Sequence, residues 1–394
     1  MTQTVIPAER YGERLERARS AALEAGLAAL LVGVGADLRY LAGYSALPLE
    51  RLTLLVVPSA GGAPVTLIAP RLEATPARSC PAAATGAVSV ATWEETEDPM
   101  ALVARVLADA SGAPASLVAS VTTVAVSDGM RAAFVLGLQR VFTGARFSLA
   151  SAELSPLRRR KDADEIALLR EAAHAADRVV AQIGAGRLIG RTEADVAREV
   201  RDRLVAEGHD HADFAIVASG PNSASPHHEA GDRVIRAGDP IVLDIGGPLG
   251  GYGSDTTRMI WVTGGDPGAG PPADFLVAFE VLRRAQAAAT AAVRPGARAE
   301  DLDTVARDVI AAAGLGPNFI HRTGHGIGLE AHEDPYLVAG NREALREGTA
   351  FSIEPGIYFE DRWGMRLEDI VVCGPDGPDV LNRSDHALQV VPGT

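Results

Sequence analysis

The stretch IVLDIGGPLGGYGSDTTRMIWV, residues 241–262, reads as two strands folded back on a glycine-rich turn. One strand carries Asp244 and the other Asp255. Across such a hairpin the two carboxylates can reach the same end of adjacent strands. A charge inside a run that reads as buried is costly unless something compensates it, and metal ions are the usual compensation for grouped carboxylates.

A second acidic pair lies downstream: Glu354 in FSIEPGIY and Glu368 in MRLEDIVV, connected across GIYFEDRWG. Between the two pairs, HRTGHGIGLEAHEDP supplies His325. Four carboxylates and one imidazole form a mixed oxygen and nitrogen set. It suits manganese, cobalt, iron or zinc better than a thiolate-seeking ion, and magnesium less well. Carboxylates can also bridge two ions about 3.5–4 Å apart, the spacing that two-metal hydrolases use. Taken singly each residue has a plainer reading: an Asp before Gly is often a turn residue, and HGIG can be a glycine turn around a hydrogen-bonded histidine. Five such residues in order, each in strand or glycine context, point to a metal centre instead.

Histidines surround this set. His227 and His332 are candidates for substrate contact and proton transfer, since a neutral imidazole can move protons near neutral pH. His321 precedes His325 by one helical turn, although TGHGIG need not be helical. His228 and His174 read as structural. His209, His211 and His386 have no comparable context.

Upstream, ERLERARSAALEAG spaces Leu and Ala at helical intervals, with Gly26 as its stop. LAALLVGV, RLTLLVVP, VTLIAP, VSVATW, SLVAS and RVFTG read as strands, and ADLRYLAGY, MALVARVLADA and DGMRAAFVLGL as helical segments. That alternation describes an α/β domain. The basic, proline-containing LSPLRRRKD marks a boundary, giving an N-terminal domain over 1–152 and a second over 153–394. Arg158–Lys161 is expected to be a solvated linker, and Asp162 or Asp164 to cap the amphipathic helix that follows. Further helices are expected over TEADVAREVRDRLVAEG, from about Ala273 to Val293, and over DLDTVARDVIAAAG. FAIVASG, the opening hairpin, TAFSIEPGIYF, GMRLEDIVVCG and DVLNRS read as strands. Helices on one face of a mostly antiparallel sheet make this half α+β.

Composition narrows the function classes. A formal charge of −14 argues against general affinity for nucleic acid or anionic membranes. Cys80 and Cys373, the only cysteines, lie far apart, so a reducing cytoplasm is expected in place of a disulfide framework. The charged N-terminus has no apolar signal-like core, and no apolar stretch is long enough for a spanning helix. The basic residues are nearly all arginine, Lys161 being the only lysine.

Taken in order, SGPNSASPHH, LDIGG…GYGSDTTR, HRTGHGIGLEAHEDP, IEPGIY and MRLED resemble the metal-dependent Xaa-Pro peptidases, aminopeptidase P and prolidase. KDADEIALLREAA matches as well, and RLERARSAALEAGLAALLVG with RYLAGY resembles the smaller creatinase-type domain of the same proteins. The resemblance implies a pita-bread fold with internal pseudo-twofold symmetry over about residues 158–394. It implies a homodimer and two divalent ions per chain, manganese first and cobalt or zinc as alternatives. The ligands would be Asp244, Asp255, His325, Glu354 and Glu368, with Asp255 and Glu368 bridging. Glu354 would be the general base, and His227 and His332 would touch substrate. His321 would line the proline pocket, and Arg366 would brace the site. Every ligand position matches.

Xaa-Pro dipeptidase is the first reading, and an aminopeptidase acting on longer peptides is the alternative. A creatinase-like amidinohydrolase or a silent peptide-binding module should not keep the whole ligand set. A dipeptide's carboxylate needs a cationic anchor, and Arg51 in the turn GYSALPLER is the candidate.

Overall fold

The computed structural model describes residues 5–111 and 123–394. By packing, the chain divides into two units, Ile6–Arg158 and Arg159–Thr394.

In the first unit, helix α1 (Ala8–Glu24) ends before Gly26, whose φ of 69° gives the left-handed turn expected of a glycine stop. Strands β1 (Ala29–Gly33), β2 (Leu54–Pro58) and β3 (Thr66–Pro70) are buried throughout, as their continuous apolar runs predict. With β4 (Ser89–Trp93), β5 (Thr123–Val126) and β6 (Arg146–Leu149) they form a six-stranded sheet in the order β4-β3-β2-β1-β5-β6. The pairs β1–β2 and β2–β3 are antiparallel and the other three are parallel. Two expectations change here. RVFTG is not a strand: Arg140 and Val141 close the helix Ala132–Val141, and the strand begins at Arg146. Its Val-Phe pair continues the helical spacing that buries Leu138 and Phe142, an ambiguity short apolar runs carry. The expected strand SLVAS lies outside the described residues.

The second unit opens with a larger correction. Arg158–Lys161 is not a solvated linker. Arg158, closing the first unit, pairs with Asp37 at 2.8 Å, and Arg159 pairs with Glu343. Lys161, its side chain only 1% exposed, pairs with Glu333. The backbone joins in, as Arg160 bridges Thr349 and Lys161 N–H donates to Gly348 O at 2.8 Å. Arg158, Arg159 and Lys161 each have an acidic partner remote in sequence, which composition does not reveal, while the exposed Arg160 side chain donates to the backbone oxygen of Glu347 at 3.4 Å. The following helix, Ala163–Gly184, is capped by Asp162 through a reciprocal box with Glu165.

That helix and Glu193–Ala206, capped by Thr192, cover one face of a four-stranded sheet. This sheet contains β7 (Phe214–Ser219), β8 (Pro240–Leu249) and β9 (Tyr252–Val262), with Gln389–Val391 added in parallel to β9. Helices Ala273–Ala291 and Ala299–Ala312 share a second core with strands Ala350–Ile353, Gly356–Phe359, Trp363–Arg366 and Asp369–Cys373. Alternation sorts the β8–β9 hairpin between these cores. Ile241, Leu243, Ile245 and Ile260 face the first, while Val242, Met259 and Trp261 face the second. Asp244 and Asp255 fall in the second set by the same period of two, and so point toward the other acidic hairpin. Among the described residues, no helix is long and apolar enough to cross a membrane.

Candidate metal centre

Register brings the four carboxylates together. Asp244 lies opposite Thr257 and Asp255 opposite Gly246 in the β8–β9 ladder. Ile353 pairs with Asp369 and Gly356 with Arg366, so the continuing register sets Glu354 across from Glu368. An isolated bridge between Thr257 and Glu368 joins the two hairpins, and Thr257 Oγ1 donates to Glu368 Oε2 at 2.7 Å. His325 enters on the short strand Gly324–Gly326, pressed between Glu333–Leu337 and Ala350–Ile353. This closeness explains the glycines: a Cβ on Gly326 would overlap the Asp334 carbonyl oxygen.

The imidazole of His325 is oriented for ligation. Its Nδ1–H donates to Gly326 O at 3.1 Å, leaving Nε2 to face Glu354 Oε1 at 3.2 Å and Asp255 Oδ2 at 3.5 Å. Ser352 Oγ accepts from His325 N–H at 3.0 Å and donates to Glu354 Oε1 at 3.1 Å. Arg366 donates to Asp244 Oδ2, whereas the buried Asp244 Oδ1 has no hydrogen-bond partner among the described residues. Three groups each bring ligand atoms within 4.8 Å of one another: Asp244, Asp255 and Glu368; His325, Glu354 and Glu368; and Asp255, His325 and His332.

The electrostatics favour bound cations. Burial and the neighbouring Asp244 push the Asp255 carboxyl well above the usual carboxylate range, and burial with Asp255 does the same to Glu368. Burial would raise Glu354 too, but the His325 hydrogen bond and the charges of His325, His321 and Arg366 outweigh it and hold Glu354 at about 2. Three buried carboxylates and the partly buried Glu354 face one guanidinium and one imidazole, which leaves net negative charge for cations to balance. An orphaned carboxylate oxygen, a histidine with its Nε2 aimed inward and an all-oxygen-and-nitrogen donor set fit two divalent ions.

The other predicted residues fall as follows. The His332 ring stacks on His325, with centroids 3.9 Å apart, and its Nδ1 accepts from Arg322 Nη2 at 3.4 Å. Because Arg only donates, the ring proton sits on Nε2. Desolvation, with His325 and Arg322 alongside, lowers His332 to about 4, so the ring is neutral at physiological pH. His227 is exposed, and its charge acts on both His321 and His332. Its neighbour His228 is turned away, with Nε2 2.7 Å from the buried Glu193. His321 donates from Nδ1 to Arg322 O at 2.7 Å, and its Nε2 lies 3.0 Å from the Tyr358 hydroxyl. Arg51 belongs to the first unit, where Glu73 holds it at 3.1 Å and Glu50 and Glu95 each lie at 3.5 Å.

Three residues that hold the candidate site's side chains in place escape the sequence reading. Tyr358 accepts from Arg366 Nη1 at 2.7 Å and so links the Asp244 brace to His321. Its only sequence signal was its place in IEPGIY. Thr257 is the hydroxyl that holds Glu368. Glu193 accepts from Ser219 N and Oγ, Asn222 and His228, clamping the loop that carries His227. Nothing local marks Glu193 apart from a helix N-terminus.

Two family models match this chain: the creatinase/prolidase N-terminal domain over residues 14–160 and metallopeptidase family M24 over residues 167–375. The chain is 47% identical over 386 residues to the probable dipeptidase PepE of Mycobacterium tuberculosis, covering 98% of each. It is 33% identical over 365 residues to the Xaa-Pro dipeptidase of Lactobacillus helveticus, covering 90% of this chain and 92% of that one. The crystal structure of dipeptidase PepE from Mycobacterium ulcerans superposes with a TM-score of 0.88 at 44% identity, covering 98% of this chain and 99% of that one. Ligand geometry, fold and sequence agree: the chain belongs to metallopeptidase family M24, with a creatinase/prolidase N-terminal domain preceding its pita-bread catalytic domain.

Proposed function

We propose that this chain hydrolyses the Xaa-Pro bond of dipeptides, using two divalent ions held by Asp244, Asp255, His325, Glu354 and Glu368. The observation that carries the reading is the complete ligand set, in which Asp244 groups with Asp255 and Glu368, and Glu368 groups in turn with His325 and Glu354. The dipeptidase names of its relatives support the substrate class. When bound, the ions supply Lewis acidity and a water acidified toward neutral pH.

The chain's own residues do the rest. Glu354 accepts the proton of the attacking water. His332 offers its Nε2–H to the carbonyl oxygen as negative charge develops there. His227 contacts the peptide from the opposite loop and helps carry a proton to the tertiary-amide nitrogen of proline. That nitrogen has no N–H, so the proline side must be recognised by shape. His321 is suited to this because its ring edges are already engaged and it packs edge-on to Phe319, with centroids 5.3 Å apart. Arg366 holds Asp244 and Tyr358 in place. Arg51 is the proposed anchor for the dipeptide carboxylate, which requires exchange of its present acidic partners for the substrate.

Manganese is the proposed metal, a homodimer the working assembly and the cytoplasm the compartment, with no nucleic acid or membrane partner. A length series of Xaa-Pro, Xaa-Pro-Yaa and longer peptides, assayed with Mn²⁺, Co²⁺ and Zn²⁺, tests the reading. The expected result is fastest turnover of Xaa-Pro with Mn²⁺. Faster cleavage of the tripeptide would establish the aminopeptidase alternative, and no cleavage of any Xaa-Pro bond would refute both.

A further inference from the structure

We propose that Lys161, through its ion pair with Glu333, is a positioning residue for His332. The proposal rests on the reading of His332 as a substrate-contacting histidine.

Lys161 is the only lysine in the chain and is buried to 1% side-chain exposure, against 9% for Glu333. Burying such a pair brings little net stability, because the desolvation cost nearly cancels the attraction. What it does bring is fixed geometry. Glu333 begins the strand Glu333–Leu337, directly after His332. His332 lies in the bend that leads into this strand, and the contacts send the two neighbouring side chains to different places: Glu333 meets Lys161 while His332 lies against His325. Anchoring one side chain therefore sets the direction of the other.

Lys161 is itself held rigidly. Its N–H donates to Gly348 O at 2.8 Å, and a Cβ on Gly348 would come within 2.6 Å of the Lys161 carbonyl oxygen. The ammonium also abuts the loop that carries His325. A Cβ on Gly328 would lie 2.9 Å from Lys161 Nζ and 2.6 Å from Glu333 Oε1. Gly328 O in turn accepts from Gly253 N–H at 2.8 Å, beside Asp255. His332 is exposed, and among the described residues its ring is held by the 3.4 Å contact with Arg322 and by stacking on His325, so its aim also depends on the chain beneath it.

The test is a mutant cycle in the full-length chain. Lys161→Met alone strands a buried carboxylate and can unfold the protein. The cycle therefore also uses Glu333→Gln and the double variant Lys161→Met/Glu333→Leu, which removes both charges together. With the Mn²⁺-loaded protein and an Xaa-Pro dipeptide, the double variant is expected to lose about 10- to 100-fold in kcat with little change in KM. Adding His332→Ala to it should cost almost nothing beyond His332→Ala alone, as expected when two changes act through one group. In the metal-free protein, the His332 imidazole resonance, identified by its absence in His332→Ala, should move toward the position of a free histidine. Additive losses, an unchanged kcat or an unmoved resonance would overturn the proposal. If the wild-type protein cleaves no Xaa-Pro bond, the functional reading fails, and the resonance in the metal-free protein still decides whether Lys161 positions His332.

Discussion

Asp255 is buried within reach of Asp244, Glu354 and Glu368, and its carboxyl is pushed upward, first by burial and then by Asp244. For an acid whose folded pKa lies above the unfolded value of about 3.9, the native state is favoured below that value and loses the advantage as pH rises through the folded pKa. The metal-free protein should therefore carry an electrostatic penalty at neutral pH that the ions relieve. Asp255→Asn removes that penalty. In chelated protein at neutral pH the variant should melt above wild type, with the gap closing as pH falls toward about 4, while it no longer binds two ions. Thermal melts across pH check this, and a variant melting below wild type at neutral pH would contradict it. At this scale the proposed ligands were legible because each sits in a strand or glycine setting that makes a charge anomalous. Tyr358 and Glu193 were not, since a buried hydroxyl or carboxylate satisfied by partners far along the chain leaves no local pattern.

Among the elements, the seam between the two acidic hairpins is carried by Thr257 with Glu368, Arg366 with Asp244 and Arg258 with Asp369. Thr257 and Glu368 are joined by one backbone bridge and one side-chain hydrogen bond of 2.7 Å. Thr257→Val keeps the shape and removes the donor. It should cost about 0.5–1.5 kcal/mol of stability and about 10- to 100-fold in metal affinity or activity, measured by denaturant melts and metal titration. An unchanged metal affinity would show that Glu368 needs no such hold. The hairpins could be read from sequence because long strands show the period of two and glycines mark their turn. Gly324–Gly326, Glu333–Leu337 and Gln389–Val391 were not readable, since strands this short, with glycine, proline or flanking loops, carry no usable period. The basic run Arg158–Lys161 misled for a related reason: charge suggested solvent, but the partners Asp37, Glu343 and Glu333 arrive from other elements.

For the whole molecule, the division of labour follows the two units. Every proposed metal ligand, together with His227, His321, His332 and Arg366, comes from the second unit, whereas Arg51 comes from the first. Chemistry and substrate length are thus open to separate mutation, and Arg51→Ala is expected to slow Xaa-Pro dipeptides far more than Xaa-Pro tripeptides. An equal small effect on both would remove Arg51 from the account. The central claim is the dinuclear centre itself, and metal stoichiometry measured alongside Xaa-Pro dipeptide hydrolysis, as Mn²⁺ is titrated into chelated protein, tests it most directly. The account predicts binding that saturates at two ions per chain, with hydrolysis appearing as the sites fill. Saturation without hydrolysis, or hydrolysis that persists in the fully chelated protein, would contradict it.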